Sequence, residues 1–218
     1  MEAFIETARR VAAGESDERG RLIFALDATM SRQPTWDLAQ SIQSRMFETA
    51  ASLGGLRVQL VFFRGFGECR ASHFVDGGQG LAALMSKIAC RGGQTQIAKV
   101  LRHALEEAGA QRVGALVFVG DAMEENADTL CVLAGRLGLL GVKAFMFHEG
   151  RDATAGAAFR EIARLTGGAY AAFDAAAPQR LQELLSAAAA YAAGGRPALE
   201  RRAGAGEEAA RLLLSQMG

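Results

Sequence analysis

Four apolar runs constrain this chain more than any other feature: RLIFALD at residues 21–27, RVQLVFFRGF from Arg57, VGALVFVG at 113–120 and VKAFMFH at 142–148. A strand with one wet face alternates apolar and polar residues, so runs this continuous predict strands covered on both faces. Most of the runs are separated by segments of helical spacing. Parallel neighbours need a crossover connection, and a helix supplies it. The order of signals therefore predicts an α/β chain: a three-layer, doubly wound, mostly parallel sheet.

The remaining elements fit that layout. ECRASHFVDGG, from Glu68, alternates more weakly than its neighbours, and Gly65-Phe66-Gly67 sits between it and the run before it. Together they predict a hairpin and hence one antiparallel edge strand in an otherwise Rossmann-like sheet. Helices are predicted over 38–53, after Pro34 and before Gly54-Gly55, and over 81–88, 95–108, 128–140, 158–166 and 178–193, with a short strand at 169–173. In the third of these, Ile97, Val100, Leu101, Ala104 and Leu105 form one stripe. Phe4, Ile5, Ala8 and Val11 mark a leading helix ending near Gly14. The organisation read from these signals is an N-terminal helical extension over 1–20, one domain over 21–193, and a tail over 194–218 with a terminal helix from Glu207.

Composition narrows the function. Lys plus Arg number 24 and Asp plus Glu 24, so no positive field favours nucleic acid. The longest weakly polar run, 184–195, is too short for a bilayer, and the first 20 residues lack the apolar stretch of a secretory signal. Cys69, Cys90 and Cys131 have no metal-type or disulfide-type spacing. They read as small apolar residues in a reducing compartment, so the expectation is a cytoplasmic protein with neither nucleic-acid nor membrane partners.

In an open parallel sheet, ligands gather beyond the carboxyl ends of the strands. The first strand ends in Asp27-Ala28-Thr29-Met30-Ser31, with one carboxylate and two hydroxyls at alternating positions. Arg91-Gly92-Gly93-Gln94-Thr95 brings a hydroxyl to a helix start, and Gly120-Asp121 ends the fourth strand with a second carboxylate. Each piece alone has an ordinary structural explanation, as a helix cap or a satisfied turn. All three fall on one sheet edge, which favours a site. Hydroxyl, carboxylate and water oxygens suit Mg²⁺ or Mn²⁺ over thiophilic ions.

At these residues the sequence resembles the von Willebrand factor type A (VWA) domain, whose metal-ion-dependent adhesion site (MIDAS) combines an Asp-x-Ser-x-Ser loop, a distant Thr and a later Asp. The matching residues are Asp27, Thr29, Ser31, Thr95 and Asp121, within an element order that runs from about residue 21 to 193. Thr29 stands where the family usually has Ser, and Gly120-Asp121-Ala122 replaces the common Thr-Asp-Gly. The resemblance implies a stand-alone intracellular bacterial domain that binds Mg²⁺ or Mn²⁺. Thr29, Ser31 and Thr95 would ligate directly, and Asp27 and Asp121 would often act through water. It further implies recognition of an Asp or Glu on another protein, in some relatives within a AAA ATPase assembly, and no chemical step.

Two other readings compete. A haloacid-dehalogenase-type phosphatase would use Asp27 as nucleophile and Gly120-Asp121 with Glu124 or Glu125 as its late acidic motif. Its usual second acid, two residues after the nucleophile, is here Thr29. A metal-free scaffold domain is the third reading. His73, His103 and His148 are scattered and read as structural or surface residues, and Gly65-Phe66-Gly67 lacks the third glycine and following helix of a dinucleotide fingerprint. Glu124, Glu125 and Glu149 read as loop acids near the edge.

Overall fold

A computed structural model describes residues 19–174 and 177–218. The leading helix expected over 1–14 lies outside the described residues. The chain runs β1 (Gly20–Asp27), a 3-10 turn (Met30–Arg32), α1 (Gln33–Ile42), α2 (Ser44–Ala51), β2 (Leu56–Arg64), β3 (Glu68–Val75) and α3 (Gly78–Met85). It continues through α4 (Ile97–Ala110), β4 (Ala115–Gly120), α5 (Ala127–Leu139), β5 (Lys143–Glu149), α6 (Ala153–Thr166), β6 (Ala169–Phe173), α7 (Pro178–Gly204) and α8 (Glu208–Leu214).

The six strands order as β3-β2-β1-β4-β5-β6, and only the β2–β3 pair is antiparallel. Because β1 pairs with β2 on one side and β4 on the other, successive connections leave β1 in opposite directions. Register sets Leu26 beside Val119, so Asp27 and Asp121 emerge next to each other at this switch point.

Continuous apolar strands produce two cores, one on each face. Leu22, Phe24 and Leu26 face a layer built from Trp36, Met46, Leu81, Leu184 and Leu213. Ile23 and Ala25 face the other, with Leu101, Phe118, Leu133 and Phe159. Period-two alternation of β1 thus feeds two hydrophobic layers without a polar face.

The helix expected over 38–53 is two helices that meet at Gln43. The break lets Trp36 and Ala39 from α1, and Met46 and Ala50 from α2, reach one core. The helix expected over 158–166 begins at Ala153, where Asp152 accepts a hydrogen bond from the Ala155 amide at 2.6 Å and caps it.

Residues 194–218 are largely helical. The backbone at Gly195 has φ 64° and ψ −164°, a bend that α7 passes before continuing to Gly204. Ala198, Leu199, Ala209, Ala210, Leu213 and Met217 are all buried. The Gln216 side chain accepts from the Tyr170 amide at 3.0 Å and donates to the Tyr170 carbonyl at 2.8 Å. It occupies the open ladder of edge strand β6, which would otherwise offer pairing groups to another chain. No helix among the described residues is long and apolar enough to cross a membrane.

Leu213 belongs to the same core as Leu22 and Phe24, so Leu213→Ala should lower unfolding free energy by about 2–4 kcal/mol in urea titrations. A loss below about 0.5 kcal/mol, the size of an ordinary surface substitution, would place α8 outside the cooperative unit.

Candidate functional site

Asp27 ends β1 and is only 4% exposed. Its Oδ1 accepts the Thr29 amide at 2.7 Å, and the Thr29 side chain bonds the same carboxyl group. Burial pushes its pKa up to about 6, and nearby Asp121 adds to the rise; the Thr29 hydrogen bonds and the charge of Arg32 act against it. Thr29 is itself buried. Ser31 lies in the 3-10 turn between Met30 and Arg32.

Arg32 closes that turn and is 4% exposed. Its Nη1 lies 3.2 Å from Asp121 Oδ2, and its Nη2 donates to Thr35 Oγ1 at 2.6 Å. The same Nη2 is ion-paired with Glu149 Oε2, and the Thr35 hydroxyl donates to that oxygen. A guanidinium from the β1 loop therefore joins a carboxylate just beyond β4 to another at the end of β5. Planar, forked donors make this possible in a way a lysine ammonium does not.

Asp121 is steadied from its backbone. His148 is 2% exposed; its Nε2 is 3.3 Å from the Asp121 carbonyl and its Nδ1 is 2.9 Å from the Tyr170 hydroxyl. A carbonyl only accepts, so Nε2 carries the proton and Nδ1 accepts from Tyr170. Burial lowers the His148 pKa and keeps the ring neutral, in agreement with this tautomer.

Thr95 is engaged elsewhere. Its hydroxyl accepts from the Glu124 amide at 3.1 Å, while its own amide donates to Glu124 Oε2 at 3.3 Å. Glu125 accepts from the Ile97 amide and, at 3.0 Å, from the Ala98 amide, capping α4 from a distant loop. Gln96, the residue at the cap position, makes no side-chain cap bond itself. Glu124 and Glu125 thus fasten the β4–α5 loop to the start of α4.

The loops beyond β1, β2 and α3 also touch. The Arg91 amide donates to the Ala28 carbonyl at 3.0 Å, and the Gln94 amide to the Gly65 carbonyl at 3.2 Å. A Cβ at Gly93 would lie 2.3 Å from the Gly65 backbone, so only glycine permits this approach.

Of the residues singled out from sequence, Asp27, Thr29 and Asp121 gather around Arg32, and Thr95 is held by Glu124. Sequence reasoning passed over Arg32 and Thr35, and it read Glu149 as a loop acid. The local signal for Arg32 was its place directly after Asp27-x-Thr29-x-Ser31, but nothing in the spacing revealed that it turns inward.

The oxygen donors alone suit Mg²⁺ or Mn²⁺, yet the site as built does not fit such an ion. An ion on Asp121 would sit about 5 Å from the guanidinium, a repulsion of about 7 kcal/mol at an effective dielectric near 20. Among the described residues, no group of three or more His, Cys, Asp or Glu is disposed to hold a metal. Burial pushes the Cys69 and Cys90 thiols up to about 11, which leaves neither as a thiolate nucleophile.

No protein family matches the sequence, and no curated protein does. Solved structures do share the fold. The SpRpn10 VWA domain is 12% identical, with a TM-score of 0.58 over 75% of this chain and 95% of that one. Proximal thread matrix protein 1 from the mussel byssus (crystal form 2) is 17% identical, with a TM-score of 0.62 over 81% of this chain and 49% of that one. The human COPII-coat protein Sec24c is 13% identical, with a TM-score of 0.53 over 80% of this chain and 32% of that one. The fold is VWA-like, and these neighbours lend no support to the phosphatase alternative.

A carboxyl group with a raised pKa opposes folding once it is ionised, and the penalty fades as pH falls from about 6 towards the ordinary aspartate value. In metal-free buffer, Asp27→Asn should therefore stabilise the protein by about 1–3 kcal/mol at pH 8. The gain should narrow as pH is lowered to 4.5 in paired denaturation curves. A difference independent of pH would contradict the burial argument.

Proposed function

We propose that this chain is a protein-interaction module that engages its partner through the loops at the carboxyl edge of the sheet. The observation that carries this reading is the placement of two large apolar side chains in water. Met30 is 63% exposed on the loop after β1, and Phe66 is 88% exposed on the turn after β2. Single exposed apolar residues are ordinary on any surface. These two stand on adjoining loops at the carboxyl edge, the edge that also holds the buried Arg32 and Asp27.

The acidic partner group implied by the VWA resemblance also has a counterpart here. Arg91 is exposed on the neighbouring loop and forms no ion pair among the described residues. A partner Asp or Glu beside an apolar anchor would find its cation there. Coordination of that acid through Mg²⁺ or Mn²⁺, the finer form of the reading, requires Arg32 to leave Asp121. A AAA ATPase assembly and a bacterial setting rest on the resemblance alone, and a cytoplasmic one on the cysteine usage and the lack of a long apolar run.

Asp27 serves as a structural acid in this reading. Its carboxyl group is turned onto Thr29 and it is buried, so an incoming substrate meets no free nucleophile at that position.

Affinity capture with the purified chain tests the proposal. Hot-spot side chains carry about 2 kcal/mol or more each, so a Met30→Ser/Phe66→Ser double variant should retain less than about one-tenth of the partner recovered by wild type. Val132→Ser, which removes an exposed apolar residue from α5, should retain all of it. Equal capture by the double variant would overturn this choice of edge.

A further inference from the structure

Arg32, Asp121, Glu149 and Thr35 form one closed cluster, and Asp27 lies within its electrostatic reach. The carboxylates come from three strand ends, β1, β4 and β5, which sheet pairing sets side by side, and their like charges repel unless a cation stands among them. The guanidinium is that cation. It is nearly inaccessible to water, and both terminal nitrogens are committed to partners from other elements. A divalent ion in an adhesion-type site would offset the same repulsion by the same means.

We infer that Arg32 stands in for the divalent ion at this edge, so that the place such an ion would take beside Asp121 is already filled by a cation. The inference deepens the interaction reading by fixing its regulation: chelators and divalent salts should leave the recognition edge unchanged. It also accounts for Thr29 and Thr95 being turned towards protein groups, Asp27 and Glu124 respectively, rather than towards a common vacant point.

Mn²⁺ alone serves as the probe, read by the paramagnetic resonance of the free ion and by thermal melting in EDTA or MnCl₂. Wild type should leave the free-ion signal unchanged and melt at the same temperature in both. Arg32→Gln breaks a buried ion pair, so its melting temperature in EDTA should fall by roughly 6 °C or more. Mn²⁺ should then raise it towards wild type, and adding Asp121→Asn should abolish that rise. Arg32→Lys, with a point charge in place of the fork, should fall between.

Wild type that takes up one Mn²⁺, with uptake lost in Asp121→Asn, would overturn the inference. So would an Arg32→Gln protein that melts with wild type in EDTA, or one that is destabilised but indifferent to Mn²⁺. Should Arg32→Gln fail to fold in either buffer, the wild-type resonance decides, with Glu149→Gln as the milder variant that must still destabilise. Because the probe is the metal itself, failure here leaves the Met30 and Phe66 reading standing, and failure of that reading leaves this one.

Discussion

A guanidinium removed from water is costly unless its nitrogens find acceptors, and both terminal nitrogens of Arg32 do so with groups from three parts of the chain. Asp121 follows β4, Glu149 ends β5, and Thr35 lies in the first turn of α1. Losing Arg32 would leave Asp121 and Glu149 without their cation, a larger penalty than the net worth of the bonds themselves. The cluster therefore acts as a single fastening of the carboxyl edge, and it sets the direction in which the chain leaves β1 for α1. Asp27 sits behind it, 4% exposed, and its burial raises its pKa.

The surrounding loops are tied by similar means. Glu124 and Thr95 clasp each other in both directions, Glu125 caps α4 from outside the helix, and Gly93 lies against Gly65 with no room for a side chain. The edge is thus built from polar contacts that need no ligand. It rests on a sheet whose two faces are closed by separate hydrophobic layers, one of them completed by the C-terminal helix. Met30 and Phe66 project from this fixed base, an arrangement that would limit the entropy lost in binding of the proposed kind.

Much of the fold was legible in the sequence because its signals are periodic. The apolar runs at 21–27, 113–120 and 142–148 lie within two residues of β1, β4 and β5, and the glycine-flanked hairpin yields the antiparallel strand β3. The break at Gln43 was not legible, since apolar spacing continues across it and only packing against the sheet decides where the helix turns. Strand ends were legible too, which brought Asp27 and Asp121 to one place. Arg32 was not: an arginine in a polar loop looks like a solvated one, and its burial depends on Glu149, more than a hundred residues away. Glu125 escaped for the same reason, because capping in trans leaves no local spacing.

The account rests on Arg32 and its carboxylates acting as one unit, which a double-mutant cycle measures directly. Unfolding free energies of wild type, Arg32→Met, Glu149→Gln and the combined variant, taken in EDTA, give the coupling between the two groups. A buried, charge-assisted contact predicts a coupling of about 2 kcal/mol or more, with the combined variant more stable than the single effects would sum to. Additive effects within about 0.5 kcal/mol would contradict the account, because Arg32 would then be an incidental neighbour of acids held in place by something else.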